Sequence, residues 1–149
     1  MSDAWLTQVL ADHFLGLEKY RIDDVRHPFP DDAGGRINLH LKSADEREDF
    51  QLDLWRGGIN LKKGTYQNRS RKTIILARLD FDGPPHRNPD GEEVGSPHMH
   101  VYKEGYGDKW AYPLPESFIN ADDRWQLLQD FMTHCNIIRP PLFNRGLFG

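Results

Sequence analysis

Between residues 37 and 54 the chain alternates between apolar and polar side chains. Ile37, Leu39 and Leu41 are separated by Asn38, His40 and Lys42, while Phe50, Leu52 and Leu54 enclose Gln51 and Asp53. Successive side chains of a strand point to opposite faces, so each run buries one face and leaves the other polar. Ile59 and Leu61, on either side of Asn60, read as a further short strand. The connections SADERED (43–49) and Gly57-Gly58 are polar and short. Such links join antiparallel neighbours, whereas a parallel crossover needs a dozen residues or more. The pattern therefore predicts an antiparallel sheet with one face packed and the other polar.

KTIILARLDF (72–81) is hydrophobic on both faces at its middle and reads as a central strand. A fifth strand is expected over about Pro97–Lys103 and a sixth over Lys109–Leu114, so the sheet occupies about residues 36–114. A helix is expected over 3–19, capped by Ser2 or Asp3, with Leu6, Val9, Leu10, His13, Phe14 and Leu17 on its apolar face. HPFPDDAGG (27–35) reads as a loop. A second helix is expected over about 121–136, capped by Asn120, with Trp125, Leu128, Met132 and Cys135 buried. The order helix, five to six strands, helix predicts an α+β domain over 1–149 with both helices on one face.

The tail at 139–149 contains RPPLFNRGLFG and cannot continue the helix. It is expected to fold back on a core edge, with a homodimer through this tail as the alternative. The single cysteine, Cys135, excludes an intramolecular disulfide and a cysteine-based zinc site, and fits a reducing, cytoplasmic setting. MSDAWLTQVLADHF carries neither a basic n-region nor a long apolar run, so no signal peptide or membrane association is expected.

Net charge is −4, but it is unevenly spread. From Arg56 to Arg87 eight Lys and Arg face two acids, whereas both flanking regions are acidic. A basic middle in an acidic chain suggests a directed patch rather than a general affinity for polyanions.

The segment from His86 to Pro115 holds three of the seven histidines. Strand parity puts Met99 and Val101 inward, so His98, His100 and Tyr102 are expected to point outward together, beside His40, Lys42, Gln51, Asp53, Asn60, Lys62 and Arg78. Three chemistries fit such a face. Phosphodiester cleavage needs a proton acceptor, a proton donor and a cation. His98 and His100 are the candidate catalytic pair. Arg69, Arg71, Arg78, His86, Arg87, Tyr102 and Glu104 are the candidate ligand-binding residues. This reaction would be metal-independent and need no cofactor. Recognition without chemistry, of single-stranded nucleic acid or of an acidic protein partner, would use the same residues. Metal binding is the third reading, since His98-x-His100-x-x-x-Glu104 reproduces the first cupin spacing. The second cupin motif and the jelly-roll strands are missing, however.

YQNRSRKTIILARLDFDGPPHRNPDGEE and PHMHVYKEGYGDKWAYPLP resemble a family of small bacterial proteins of unknown function. The likeness covers the chain from about residue 50 onward. Proteins of that kind are often carried on mobile elements. The resemblance thus implies a role in toxin–antitoxin or phage–host conflict, but no fold, activity or catalytic set. The leading expectation is a protein that binds RNA or a nucleotide on the polar sheet face, with ribonuclease activity as its catalytic form. An inhibitor or immunity factor without enzymatic activity is the alternative.

Overall fold

The computed structural model describes residues 5–30, 34–58, 63–118 and 120–145. Helix α1 (Gln8–Gly16) is followed by β1 (Lys19–Arg21), β2 (Arg26–Pro28), β3 (Gly35–Ser43), β4 (Asp49–Arg56), β5 (Gly64–Ser70) and β6 (Ile74–Asp80). Then come β7 (His86–Arg87), β8 (Glu93–Val94), β9 (His98–Val101), β10 (Ala111–Pro113), α2 (Arg124–His134), β11 (Ile137–Arg139) and β12 (Leu142–Asn144). The main sheet has eight strands in the order β10-β9-β6-β5-β4-β3-β1-β11. All of its pairs are antiparallel except β1 with β11. The fold is α+β, with a larger sheet than the alternation alone indicates.

The alternation at 37–54 works as expected. Leu39, Leu41, Phe50, Leu52 and Leu54 enter the core with Tyr66, Leu76, Leu79 and Met99. Both helices pack against this face: the Phe14 ring meets Phe50 edge-on at 6.2 Å, and Phe131 lies 6.3 Å from Tyr66. Among the described residues no helix is long and apolar enough to cross a membrane.

Several boundaries differ from expectation. The first helix is shorter than 3–19: the Thr7 hydroxyl caps it by accepting from the Leu10 N–H, and Leu17 ends it because Lys19 already belongs to a strand. Only a narrow stripe, Ala11 and Phe14, is fully buried, so Val9 and His13 face solvent. Asp123, not Asn120, caps α2 by accepting from the Gln126 N–H at 3.1 Å. The strand expected around Asn60 lies outside the described residues. The segment 27–35 is not loop throughout, since β2 pairs in parallel with β12. Through β11 and β12 the described part of the tail folds back onto its own chain, and Phe29, Trp125 and Phe143 stack edge-to-face beneath it.

Candidate functional site

Register carries polar side chains straight across the face turned away from the helices. Asn38 pairs with Asp53, Asp53 with Gln67, Gln67 with Arg78, and Arg78 with His100. One step along, Arg36 pairs with Trp55, Trp55 with Thr65, Thr65 with Asp80, and Asp80 with His98. These two rows floor a groove of about 870 Å³. One wall is the segment 82–86, which brings Asp82, Pro84, Pro85 and His86 over the β6 and β9 end.

That wall corrects the expectation of an open face. His98 and His100 are 4% and 1% exposed, because the β7–β8 hairpin and the 104–109 turn close over them. The Asn88 side chain ties the hairpin to β10, accepting from the Ala111 N–H and donating to the Ala111 carbonyl. His86 Nε2 lies 2.7 Å from the Lys109 carbonyl, and its ring stands edge-on to His100 at 4.6 Å.

At the centre, Asp80 Oδ2 lies 3.4 Å from His98 Nε2 and 3.2 Å from His100 Nε2. Each ring is fixed through its other nitrogen. His100 Nδ1 meets the Asp108 carbonyl at 2.7 Å, and His98 Nδ1 meets the Gly95 carbonyl at 3.2 Å. A carbonyl only accepts, so both contacts assign the proton to Nδ1 and leave Nε2 bare in the neutral ring. Arg78 Nη2 lies 3.0 Å from His100 Nε2, while Nη1 pairs with Asp108 Oδ2 at 2.6 Å. The Thr65 hydroxyl donates to Asp80 Oδ1 at 3.0 Å.

Burial pushes the Asp80 carboxyl up, but contact with His100, the charge of Arg78 and the Thr65 hydroxyl outweigh it and hold it at about 2. Burial also lowers His98, and neighbouring His100 adds to this against the pull of Asp80.

The expected ligand-binding residues divide sharply. Arg69, Arg78 and His86 line the groove with His98 and His100. Arg69, however, is occupied: it forks onto both oxygens of Asp53 at 2.6 and 2.9 Å and also donates to Gln51. Asp53 is held low, with burial opposed by hydrogen bonds from Arg69, Gln67 and Asn38. Arg71 lies outside the groove, where it reaches Glu48 at 3.8 Å and covers the Phe14 ring. Arg87 pairs with Glu93, and Glu104 accepts from the Gln8 N–H at the start of α1. Tyr102 does not share the histidine face: β9 ends at Val101, and the next side chain turns into the core against Leu6.

The sequence reading passed over Asp80, Trp55, Arg36 and Lys63, all of which line the groove. Parity was the available signal, since Asp80 is two residues from Arg78, and Arg36 and Trp55 alternate with Ile37 and Leu54. Among the described residues, the exposed side chains of Arg36 and Lys63 have no hydrogen-bond or ion-pair partner.

A model of the family of unknown function DUF6978 matches residues 6–137, and the chain belongs to that family. No curated protein and no solved structure matches it.

Proposed function

With no activity supplied by family membership, we propose that the groove binds a phosphate-bearing ligand, RNA or a nucleotide, and that the His98–His100 end acts on its phosphodiester. One observation carries this reading. The groove joins two cations without a side-chain partner among the described residues, Arg36 and Lys63, and the ring of Trp55 to a centre of half-buried Asp80 with buried His98 and His100. Arg36 and Lys63 suit phosphate oxygens, and an aromatic face beside them suits a stacked base. Strands are about 4.8 Å apart, so Trp55 on β4 lies about 10 Å from Asp80 on β6. A base at Trp55 would thus leave a neighbouring phosphate within reach of the histidines.

Arg78 stands where charge would build on a phosphate in transfer. In its simplest form, without a metal, one imidazole takes the proton of the attacking hydroxyl as the new P–O bond forms, and the other, protonated, gives a proton to the oxygen that leaves. The basic middle of the chain reaches the groove through Lys63 and through Arg69 and Arg78, which line it while paired with Asp53 and with Asp80 and Asp108, not through Arg71 or Arg87.

Labelled single-stranded RNA, incubated with the pure protein with and without chelator, tests binding and cleavage together. Arg36→Ala with Lys63→Ala should weaken binding about tenfold or more and flatten its salt dependence. His98→Ala and His100→Ala should abolish cleavage while binding persists. Intact RNA in every arm would sink the nuclease reading. Binding indifferent to Arg36, Lys63 and Trp55 would sink the groove as the ligand site.

A further inference from the structure

We propose that Asp80, His98 and His100 form a divalent transition-metal site with two imidazole nitrogens and one carboxylate oxygen as ligands. The inference deepens the reading of the same site, because it concerns the charge at the reacting end of the groove. It keeps the phosphate-bearing ligand of that reading and assigns the two imidazoles, with Asp80, to holding an ion in place of the metal-free proton transfer.

Geometry is the first argument. The three ligand atoms all lie within 4.8 Å of one another, and the carboxylate oxygen is 3.2 and 3.4 Å from the two Nε2 atoms. With metal–ligand distances of about 2.0–2.2 Å, neighbouring ligands around one ion stand about 3.0–3.5 Å apart. The two carboxylate–imidazole separations already fall on that edge length, and the two imidazole nitrogens lie within 4.8 Å of each other.

Proton placement is the second argument. Both Nδ1 atoms are committed to backbone carbonyls, so both Nε2 lone pairs point at a carboxylate oxygen. While both rings are neutral, these three electron-rich atoms repel unless a positive charge, a proton on one ring or a cation, lies between them. Arg78 supplies part of it, at His100 Nε2 and through its ion pair with Asp80 at 3.2 Å, and its second anchor at Asp108 lets it stay beside the centre when an ion takes that place. Nothing comparable serves His98: its Nε2 has Asp80 as its only polar partner among the described residues.

The outer contacts are the third argument. Ligating histidines usually give their other nitrogen to a carbonyl or carboxylate, and ligating carboxylates are themselves hydrogen-bonded. His98 has the Gly95 carbonyl, His100 the Asp108 carbonyl, and Asp80 the Thr65 hydroxyl. The ligands come from β6 and β9, adjacent strands of the main sheet, so the frame is rigid. Two imidazoles and a carboxylate favour zinc, iron or manganese over magnesium or calcium. All three ligands line the groove, so the remaining coordination positions open toward a bound phosphate oxygen.

The test uses the full chain, stripped with chelator, dialysed and titrated with zinc chloride and with manganese chloride by calorimetry. One ion per chain is expected, together with a higher melting temperature. Asp80→Asn and His100→Gln should each weaken binding at least 100-fold, while His134→Gln, elsewhere in the fold, leaves it unchanged. X-ray absorption on the loaded wild-type protein provides a readout that needs no variant, and should report two imidazoles and one carboxylate per ion. Absence of stoichiometric binding by wild type, a ligand shell without imidazole, or unchanged affinity in Asp80→Asn would each overturn the site. RNA bound in the groove by a chain that takes up no metal overturns this inference alone. Metal uptake by a chain that ignores RNA supports it and removes the ligand reading instead.

Discussion

The Tyr102 hydroxyl donates to the Leu6 carbonyl at 2.7 Å and accepts from the Leu6 N–H at 2.8 Å. Both bonds are buried, so the phenol fixes the chain just ahead of α1 to the end of β9. Tyr102→Phe keeps the ring and strands both Leu6 backbone groups away from water. A buried polar group left without its partner costs about 1–3 kcal/mol. Chemical denaturation should show a loss of that size, with metal uptake and RNA binding as in wild type. Weakened ligand binding at unchanged stability would instead return Tyr102 to the site. His98 and His100 were legible as a pair because alternation holds across β9. Tyr102 was misplaced because alternation lasts only as long as the strand, and nothing in the residues 101–103 marks where pairing stops. Asp80 was missed for the opposite reason: its parity with Arg78 was plain, but the apolar run around them read as core on both faces.

At the level of elements, β5 shows how a strand can hide. Thr65, Gln67 and Arg69 face the groove, but Asn68 and Ser70 face inward beside Tyr66, so polar residues fill both faces. Periodicity then vanishes, and GTYQNRS reads as a polar approach to the next strand. The irregularity between Asn68 and Arg69, where the register with β6 shifts, blurs the pattern further. Gly64 starts this strand for a packing reason. A Cβ there would lie 2.4 Å from the Phe81 ring and 2.6 Å from the Trp55 carbonyl. The missing side chain lets Phe81 come down on Tyr66, with ring centroids 4.5 Å apart. Gly64→Ala must displace either the ring or the strand, and overpacking of this kind costs about 1–3 kcal/mol. The expected outcome is a lower denaturation midpoint with Phe81 displaced. An unchanged midpoint would show that β5 and Phe81 separate freely. Trp55 belongs to the same β4–β5 pair, so weaker RNA binding in this variant is also expected.

Across the whole molecule, the two helices meet at Lys19. It is fully buried, and its ammonium donates to the Leu15 and Leu17 carbonyls near the end of α1 and to the Cys135 carbonyl at the end of α2. Its Nζ also lies 4.7 Å from the centre of the Phe50 ring. One side chain therefore satisfies carbonyls that both helix ends leave over, and the dipoles there favour a cation. A lysine in this sequence context gives no hint of such a role, because the contact to Cys135 spans most of the chain. Burial lowers the Lys19 ammonium from 10.5 to about 8, against the opposing pull of Cys135. The sign of the resulting pH dependence follows from proton counts. Below about pH 8 both folded and unfolded chains hold the proton, and this group adds no slope. Between about 8 and 10.5 the unfolded chain keeps a proton that the folded chain has released, so stability rises with pH; above that it levels off. The gain from this group is roughly 3 kcal/mol over the window. Other lysines and tyrosines titrate nearby, so the informative quantity is the difference between wild type and Lys19→Met. Urea unfolding at pH 7, 8, 9 and 10 should show wild type gaining on the variant at each step above 8. A difference that stays flat would mean the ammonium keeps its proton, its three carbonyls outweighing the cost of burial.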